Sequence, residues 1–423
     1  MCDTFVKYDT NRLFFGKNSD RSPNEPNLIL FIPAHRREPA NEVECTYRSV
    51  IAQADARAVL LVKPSWIWGA EMGINDAGVM IGNEAVFTKS KGKKTPKLLG
   101  MDLLRLALEE ADSSRKGVDI IIHYLEKYGQ GGNSGFDKAF YYDNSFLVAD
   151  QKEAYLLETS GNHWVAKKVD DRENISNRLT LSNDYTLANI SDNMRFSKTQ
   201  SEPVFTFFSR AKERETQVCE RLKNTNSVTD FISLLSSHQE SNRTKLFLKG
   251  SVSSVCMHKS LLGDQTTASF LVESDVNRMT IWLSGSSSPC LGLYIPVFFG
   301  DVQPPVFTDC FQSLTYWLDR EWLHRAIYSN LIDIESYLSR RNELQASFIE
   351  KEAHYRQSPV NSNQLAAFTR ECHEKEQALI ETYRDLIEQI RQTPSLLKSP
   401  WNKRSLALGK HPFAPTINER KMP

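Results

Sequence analysis

The chain has 423 residues, of which 40% are hydrophobic and 25% are charged, so it is long enough for two or three domains. Lys plus Arg and Asp plus Glu both number 52, and the zero net charge gives no basic excess of the kind that nucleic-acid binding needs. No apolar run reaches the ~20 residues that cross a bilayer, so we expect neither a nucleic-acid partner nor a membrane span.

The first stretch predicts a β-hairpin that begins at a cysteine. Asp3–Tyr8 and Leu13–Lys17 have strand composition, and Asp9–Asn11 supplies turn residues between them. Removal of Met1, which is usual before a small second residue, would leave Cys2 with a thiol and a free α-amine. Their ordinary pKa values are about 8.5 and about 7.7–8.0, so one residue would supply both a nucleophile and a base. An accidental cysteine at this position is the alternative interpretation.

A polar loop is predicted after the hairpin, over residues 18–27, because this stretch is rich in turn formers and contains two prolines. The second strand runs back toward the chain start, so the loop is expected near Cys2. Asp20 is therefore a candidate for a carboxylate that orients the α-amine. An ordinary surface loop is the alternative.

The following segment predicts several short strands and a candidate oxyanion donor. Strands are expected over Leu28–Ile32, Tyr47–Ala52 and Ala58–Val62, followed by a strand, a turn at Asn75–Gly78 and a second strand that ends at Asn83. The amide of Asn83 is the type of preplaced donor that stabilises an oxyanion. An asparagine that simply ends a strand is the alternative.

Two helices separate this group of strands from the next. Met101–Asp112 and Val118–Tyr128 show apolar residues at helical spacing, and a glycine-rich stretch over residues 129–135 predicts a mobile loop. Strands are predicted next over Ser145–Ala149, Ala154–Glu158 and His163–Val169, followed by a strand that carries Asn177. A mostly helical segment is expected over Arg195–Ser237. The last predicted strands are Val252–Met257, Thr267–Val272, Arg278–Leu283 and Leu291–Val297. This order predicts layered sheets with helices outside.

Cys256 and His258 stand two residues apart, a spacing that raises the question of a metal site. A structural zinc takes four ligands, and the sequence shows no further ligands beside this pair. We therefore expect no metal and interpret His258 as a packed or hydrogen-bonded histidine.

The last part of the chain predicts a helical extension. Phe311–Gln357 and Gln364–Thr393 are charged, helix-patterned stretches on either side of a break at Ser358–Pro359. We predict one domain over residues 1–306 and an antiparallel helical hairpin within residues 307–423, with a mostly irregular tail after Pro394. The charged faces are interpreted as solvated, and a homodimer formed through these helices is a second interpretation.

The seven cysteines and the N-terminus predict a cytoplasmic protein. The cysteines are scattered and odd in number, which is typical of reduced, buried residues. The first residues lack the charged-then-apolar pattern of a secretory signal.

Several blocks of the sequence together resemble a known family. They are Cys2-Asp3-Thr4, residues 16–21, Asn24-Glu25, residues 73–79, residues 255–258, residues 265–269 and the stretch from Trp282 through Cys290. In order and spacing the chain is similar to the secernins and the related dipeptidase A-type enzymes, within the N-terminal-nucleophile hydrolases. The resemblance implies an α+β fold, a four-layer αββα sandwich, and amide hydrolysis by an N-terminal cysteine without a cofactor or metal.

The resemblance also implies roles for individual residues. It places the nucleophile at Cys2, a nearby carboxylate at Asp20, an oxyanion-hole amide at Asn83 and a second polar contact at Asn177. Where the wider group, which includes penicillin V acylase and bile-salt hydrolase, commonly has arginine, this chain has Lys17, which keeps the charge but lacks the planar fork.

A later catalytic arginine of the group has no certain counterpart in this sequence. Arg210 and Arg221 are the candidates.

The predicted function is a cysteine-type amidohydrolase, a dipeptidase, that acts on a small peptide or amide. Two alternatives stay open at this point. One is a non-catalytic, secernin-like scaffold or regulator of secretion on a hydrolase fold. The other is an N-acyl amide hydrolase of the penicillin V acylase or bile-salt hydrolase type.

Overall fold

The computed structural model describes residues 1–37, 42–191, 194–239, 246–259, 264–300, 303 and 307–408. Its strands are β1 (Cys2–Asp9), β2 (Arg12–Arg21), β3 (Asn27–Ile32), β4 (His35–Arg36), β5 (Val43–Glu44), β6 (Ser49–Val50), β7 (Asp55–Ala56), β8 (Val59–Pro64), β9 (Met72–Asn75), β10 (Met80–Val86), β11 (Asp143–Ala149), β12 (Ala154–Ser160), β13 (His163–Val169), β14 (Arg172–Ile175), β15 (Leu187–Ala188), β16 (Gln265–Asp275), β17 (Met279–Ser284) and β18 (Ile295–Val297).

The helices stand in three groups along the chain. They are α1 (Gly100–Glu110), α2 (Ser114–Tyr128), α3 (Phe196–Gln200), α4 (Pro203–Phe208), α5 (Ala211–Leu222), α6 (Val228–Leu235), α7 (Leu246–Lys249), α8 (Cys310–Tyr328), α9 (Ile334–Arg356), α10 (Ser362–Glu381), α11 (Arg384–Gln392) and α12 (Trp401–Leu408), with a 3₁₀ turn over Pro394–Leu396. Within the described ranges, no helix has both the length and the hydropathy needed to cross a membrane. The prediction of a mixed α and β fold is confirmed.

Two antiparallel sheets form the centre of the described chain. One has six strands in the order β14-β1-β2-β16-β17-β18, and the other has eight in the order β15-β13-β12-β11-β10-β9-β8-β3. The first sheet grows from the predicted N-terminal hairpin, whose strands pair from Cys2 with Ser19 to Asp9 with Arg12 around a two-residue turn. This register places the start of β1 beside the end of β2.

The two sheets contact each other, and helices pack against both of them. Thr4 and Lys17 of the six-stranded sheet lie against Gly82 of β10, where there is no side chain to separate them. Helices α1 and α2 contact the eight-stranded sheet, and α5 and α6 contact the six-stranded sheet. Because β1 is covered on both faces, its residues from Cys2 through Lys7 are all buried.

The C-terminal helices pack onto edge strands of both sheets. Helix α8 lies against β3, where Ser313 accepts a hydrogen bond from the main chain of Ile29 at 2.9 Å. Helix α10 lies against β18, where Thr369 donates to the carbonyl of Pro296 at 2.8 Å. These helices therefore satisfy or shield strand edges that would otherwise be open to pairing.

The structure differs from the sequence prediction at several elements. Strand β2 continues to Arg21, so Asp20 lies in a strand and not in a loop. Asn177 lies two residues beyond the end of β14, and Val252–Met257 forms no strand. The predicted strand Tyr47–Ala52 shrinks to the two residues of β6. Pairing with β16 extends β2 to Arg21. The turn-forming residues in this part of β2 do not reveal the extension.

The predicted extension also differs in detail. Its first stretch divides into α8 and α9, its second into α10 and α11, and the tail that was expected to be irregular contains α12. The predicted boundary at residue 306 and the tail over residues 409–423 lie outside the described residues. The division into two domains stays a prediction.

Candidate active site

Cys2 lies at the start of β1 on the face that meets the eight-stranded sheet. The backbone N–H of Asp20 points to its sulfur at 3.4 Å, and the sulfur lies 3.7 Å from Oε2 of Glu71. Burial raises the pKa of the Cys2 thiol to about 12, although the neighbouring Lys17 lowers it. With Met1 attached, the thiol is therefore protonated at neutral pH.

The main-chain nitrogen of Cys2 has a partner of its own. It donates to Oδ1 of Asn177 at 2.8 Å, and the same oxygen accepts from Nη2 of Arg214 at 2.7 Å. The amide nitrogen of Asn177 donates to the carbonyl of Ala85 at 3.0 Å, which fixes which end of the side chain faces Cys2. The structure thus brings Asn177 to the nitrogen that would become the α-amine.

Arg214, which the sequence prediction did not name, is the arginine that contacts Asn177. It is fully buried on α5 and donates to Asp3 at 2.8 Å and to Ser176 at 3.1 Å. The two candidates named from the sequence lie elsewhere: Arg210 is exposed and pairs with Glu213, and Arg221 donates to Ser233.

The spacing of α5 contained a signal for Arg214. The buried positions of this helix are Ala211, Arg214, Val218 and Leu222, which lie on one helical face. A charged residue in an otherwise apolar stripe indicates a buried polar partner.

Met1 occupies the space beside Cys2. Its ammonium donates to the backbone carbonyl of Asp20 at 2.7 Å and to Oδ2 of Asp264 at 3.2 Å. Burial by itself lowers the pKa of this ammonium, but Asp264 and the other nearby anionic groups raise it above its ordinary value. The protein therefore holds a charged N-terminal amine next to the thiol.

The carboxylate of Asp20 does not contact this ammonium. Its Oδ1 accepts from the hydroxyl of Thr266 at 2.6 Å, and its Oδ2 is buried without a hydrogen-bond partner among the described residues. Burial raises the pKa of Asp20 to about 7. One oxygen of this carboxyl group could thus accept a further hydrogen bond.

Lys17 lies between the sheets, on the same face of the hairpin as Cys2. Its Nζ donates to Oε1 of Glu84 at 2.9 Å, both side chains are fully buried, and Thr4 donates to the same carboxylate. Burial alone lowers the pKa of Lys17, but Cys2, Glu84 and Glu71 raise it above its ordinary value. Lys17 therefore remains a cation inside the protein.

A second buried cluster of charged residues adjoins the thiol. The sequence analysis did not predict that these residues lie together. Arg21 donates to Glu71 at 2.9 Å and to Glu25, and Ser19 donates to Glu71. Burial by itself raises the pKa of Glu71, but Arg21 and Lys17 lower it below its ordinary value. Arg21 and Glu25 stand inside blocks that carry the family resemblance, whereas no local pattern marks Glu71.

Asn83 lies on the other face of its strand. Gly82 and Glu84 face the six-stranded sheet, and the amide of Asn83 donates to Asn144 at 3.1 Å and lies 3.6 Å from the sulfur of Met101. The structure does not aim this amide at the Cys2 thiol. Its proposed oxyanion role stays a prediction.

One expectation about metal ligands is wrong. The sequence shows only Cys256 and His258, but the fold brings His238 and Cys290 to them, so that the four ligand atoms lie within 4.8 Å of one another. The additional ligands come from segments 18 or more residues away, which spacing within one segment cannot reveal.

Comparisons with known proteins agree with the resemblance in the sequence. The profile of peptidase family C69 matches residues 65–221. Two proteins described as probable dipeptidase A, from Streptococcus pyogenes serotype M3 (strain SSI-1) and serotype M18 (strain MGAS8232), are each 31% identical over 118 residues. This match spans 26% of the chain and 23% of the length of each relative.

Solved structures of low sequence identity also match. Penicillin V acylase from Agrobacterium tumefaciens is 11% identical, with a TM-score of 0.40 over 71% of this chain and 86% of that protein. The C2A mutant of conjugated bile acid hydrolase from Clostridium perfringens is 12% identical, with a TM-score of 0.36 over 72% of this chain and 99% of that protein.

The profile match covers the segment that contains Glu71, Glu84, Asn177 and Arg214, all of which lie at or near the N-terminal cysteine. Residues 65–221 are thus similar to peptidase family C69, and a stretch of 118 residues is similar to proteins described as probable dipeptidase A.

Proposed function

We propose that this protein is a cysteine dipeptidase with a four-layer αββα sandwich, in which Cys2 becomes the nucleophile once Met1 has been removed. The observation that carries the proposal is the pair of contacts made by Cys2. Its nitrogen is held by Asn177, which Arg214 orients, and its sulfur faces the backbone N–H of Asp20. Nucleophile and base are thereby fixed in one residue.

The reaction begins with transfer of the thiol proton to the neutral α-amine. The thiolate attacks the carbonyl carbon of the substrate amide, and the protonated α-amine returns a proton to the leaving amine as the C–N bond breaks. A thioester on Cys2 remains. Water, deprotonated by the same α-amine, hydrolyses this thioester and restores the thiol.

Three residues support the charged states of this cycle. The Asp20 N–H and the cation of Lys17 favour the thiolate. We infer that Oδ2 of Asp20, which has no hydrogen-bond partner among the described residues, accepts from the α-amine once Met1 is absent. Asn83 is retained as a candidate oxyanion donor, which requires its amide to leave Asn144.

The contacts of Met1 support the proposal that the substrate has a free N-terminus. In the thioester of a dipeptidase, the aminoacyl group of the substrate is bonded to the sulfur of Cys2. Met1 is bonded to the nitrogen of the same residue, so the two aminoacyl groups would lie close together. The ammonium of Met1 is held by Asp264 and by the carbonyl of Asp20. We infer that these groups bind the ammonium of the substrate, which favours dipeptides over N-acyl amides.

The experiment compares processed protein on matched substrates. Intact-mass analysis first establishes that Met1 is absent, and hydrolysis of dipeptides, their N-acetyl forms and N-acyl amides is then measured. We expect dipeptide hydrolysis that Cys2→Ala abolishes, and full activity of Cys2→Ala overturns the proposal. Asp264→Asn should raise KM for dipeptides more than tenfold, and equal rates on acetylated substrates would favour the acyl-amide hydrolase.

The scaffold alternative has its own outcome in this experiment. A protein that retains Met1 when isolated from its native cell has an acylated nitrogen at Cys2 and a thiol that is protonated at neutral pH. Retention of Met1 together with no turnover would favour a non-catalytic role.

A further inference from the structure

Four metal-binding side chains meet at one point, away from the ion clusters beside Cys2. His238 follows α6, Cys256 and His258 lie in the segment before β16, and Cys290 lies in the loop between β17 and β18. Three loops that are distant in sequence thus each contribute one or two ligand atoms. Cys256 and His258 are buried, and the other two are partly exposed.

The three separations from Nε2 of His258 to the other ligand atoms are close to those of a tetrahedral site. Nε2 of His258 lies 3.2 Å from Nε2 of His238, 3.6 Å from the sulfur of Cys256 and 3.3 Å from that of Cys290. Zn–N bonds of roughly 2.0–2.1 Å and Zn–S bonds of roughly 2.3 Å at tetrahedral angles require separations of roughly 3.4 Å for N–N and roughly 3.6 Å for N–S. These three distances lie within a few tenths of an ångström of those values.

The histidine at the centre of the cluster is oriented for metal binding. Nδ1 of His258 lies 3.3 Å from the hydroxyl of Ser288, which in turn lies 2.5 Å from that of Tyr328. An Nδ1–H donated to Ser288 leaves a lone pair on Nε2, which faces the other three ligands. Without a cation, the two facing Nε2 atoms can share only one hydrogen.

The loop that supplies Cys290 is held in an uncommon conformation. Ser288 has φ 52°, in the left-handed region, and its carbonyl accepts from Leu291 at 2.8 Å while its N–H donates to Thr266 at 2.8 Å. A non-glycine residue with positive φ persists where its surroundings determine it. The turn directs Cys290 toward His258.

We propose that His238, Cys256, His258 and Cys290 bind one Zn²⁺ ion in a structural site. Two imidazoles and two thiolates form a closed, four-coordinate set with no position left for water or substrate, which is typical of structural and not of catalytic zinc. Thiolate and imidazole ligands also favour Zn²⁺ over Mg²⁺ or Ca²⁺, which prefer oxygen. The partly exposed His238 and Cys290 provide the entry path for the ion.

The ion would connect to the candidate active site through one residue. Met257, between two of the ligands, pairs with Thr266 through hydrogen bonds of 2.9 Å in both directions, and the hydroxyl of Thr266 donates to Asp20 at 2.6 Å. The zinc therefore makes its ligands positioning residues for Asp20. This consequence rests on the proposed function, whereas zinc binding itself does not.

The test measures metal in the full chain, purified without chelator and without a histidine tag. We expect about one zinc per chain by mass spectrometry of the metal, and a loss of more than tenfold in Cys290→Ala and in His238→Ala. Cys219→Ala, which replaces an exposed cysteine, is the matched control and should keep its zinc. Zinc below one tenth of an equivalent in the unaltered chain overturns the proposal, as does retention of zinc in both ligand variants.

A second measurement covers the case in which the ligand variants do not fold. Unaltered protein is stripped with a chelator under reducing conditions and titrated with Co²⁺. We expect uptake of one Co²⁺ with thiolate-to-metal absorption and tetrahedral d–d bands, and a spectrum typical of six oxygen or nitrogen ligands overturns the proposal. An intact mass two daltons low in non-reduced protein, with a Cys256–Cys290 crosslink, also overturns it.

Cys2→Ala separates this proposal from the proposed function. The variant should keep its zinc whether or not it hydrolyses dipeptides. Loss of zinc in Cys2→Ala would assign the metal to the other site and overturn the structural site. Full activity in Cys2→Ala with zinc retained would overturn the dipeptidase proposal alone.

Discussion

Cys2 combines two functional groups whose environments differ. Its nitrogen donates to a neutral oxygen of Asn177, while its sulfur is placed among Glu71, Lys17 and the N–H of Asp20. Removing Met1 converts an amide into an amine and, when that amine is protonated, moves the N-terminal positive charge from Met1 to the nitrogen of Cys2 itself, closer to the sulfur. The reactivity of the thiol should therefore depend on processing.

Alkylation of Cys2 by iodoacetamide should differ between the two forms. In protein made with methionine aminopeptidase inhibited, the thiol has a pKa of about 12, so the thiolate fraction at pH 7 is small. Below that pKa the rate should rise roughly tenfold per pH unit. Processed protein should react at least tenfold faster at pH 7, as measured by peptide mass spectrometry with Cys219 as the internal reference. Equal rates would contradict the charge argument.

Arg214 should matter more for stability than any other arginine of α5. It neutralises the buried carboxylate of Asp3, and its removal leaves that group unpaired. Loss of one partner of a buried pair costs about 3–5 kcal/mol, so Arg214→Met should lower the free energy of unfolding by that amount. Arg210→Met, at an exposed site of the same region, should change it by less than about 0.5 kcal/mol. Urea unfolding compares the two.

The role of Lys17 is best tested by removing both charges of its ion pair. Lys17→Met alone leaves Glu84 unpaired between the sheets, whereas Lys17→Met with Glu84→Gln leaves no buried charge at this place. We expect the double variant to be more stable than the single one but to lose at least tenfold in kcat/KM, because the cation no longer favours the thiolate. A folded double variant with unchanged activity would exclude Lys17 from the mechanism.

At the scale of elements, the closeness of β10 to the N-terminal hairpin determines where the charges lie. A Cβ at Gly82 would lie 2.8 Å from Oγ1 of Thr4 and 2.9 Å from Cδ of Lys17. Glycine thus permits the two sheets to approach at the point where Glu84 reaches Lys17. The alternation of β10 then turns Asn83 toward α1.

Gly82→Ala should separate the sheets locally. The added methyl group overpacks the contact with Thr4 and Lys17, which we expect to destabilise the fold by about 1–3 kcal/mol. Gly300→Ala is the control, because a Cβ there would meet no atom within 4 Å. Thermal unfolding of both variants checks the expectation, and an equal melting temperature for the two would contradict the described packing.

At the scale of the whole molecule, the C-terminal helices contact the segment that follows the strand of Asp20. Arg325 of α8 donates to the carbonyl of Pro23 at 2.9 Å and to Asn24 at 2.8 Å, directly after the strand that carries Asp20. Trp317, Phe348 and the strands of the six-stranded sheet share one hydrophobic cluster. The helices are therefore packed into the same core as the N-terminal hairpin.

A chain truncated after residue 306 should not fold by itself. Without α8 to α12, the truncated chain would expose the edge of β3 and the part of the core that packs around Trp317 in the full chain. We expect aggregation or a loss of cooperative unfolding, measured by size-exclusion chromatography and circular dichroism. A soluble, cooperatively folded fragment would instead support residues 1–306 as an independent domain. The predicted homodimer through these helices stays a prediction.

Local features of the sequence were sufficient for the elements nearest to the nucleophile. The hairpin that returns residues 19 and 20 to Cys2 follows from alternating strand residues around a short turn, and the approach of Asn177 was expected from the family resemblance. Turn residues could not show that β2 continues through Asp20, because the extension depends on pairing with β16, a partner some 250 residues away in the chain.

The sequence by itself determined the mixed α and β class, the hairpin and the candidacy of Cys2, because these depend on neighbours along the chain. Only the tertiary structure decided which charges surround the thiol. Glu71, Arg214 and the ligand partners of Cys256 reach their places through sheet packing and loop crossings between distant segments. Burial then sets the protonation states there, since a charge removed from water persists only beside a partner that the whole fold supplies.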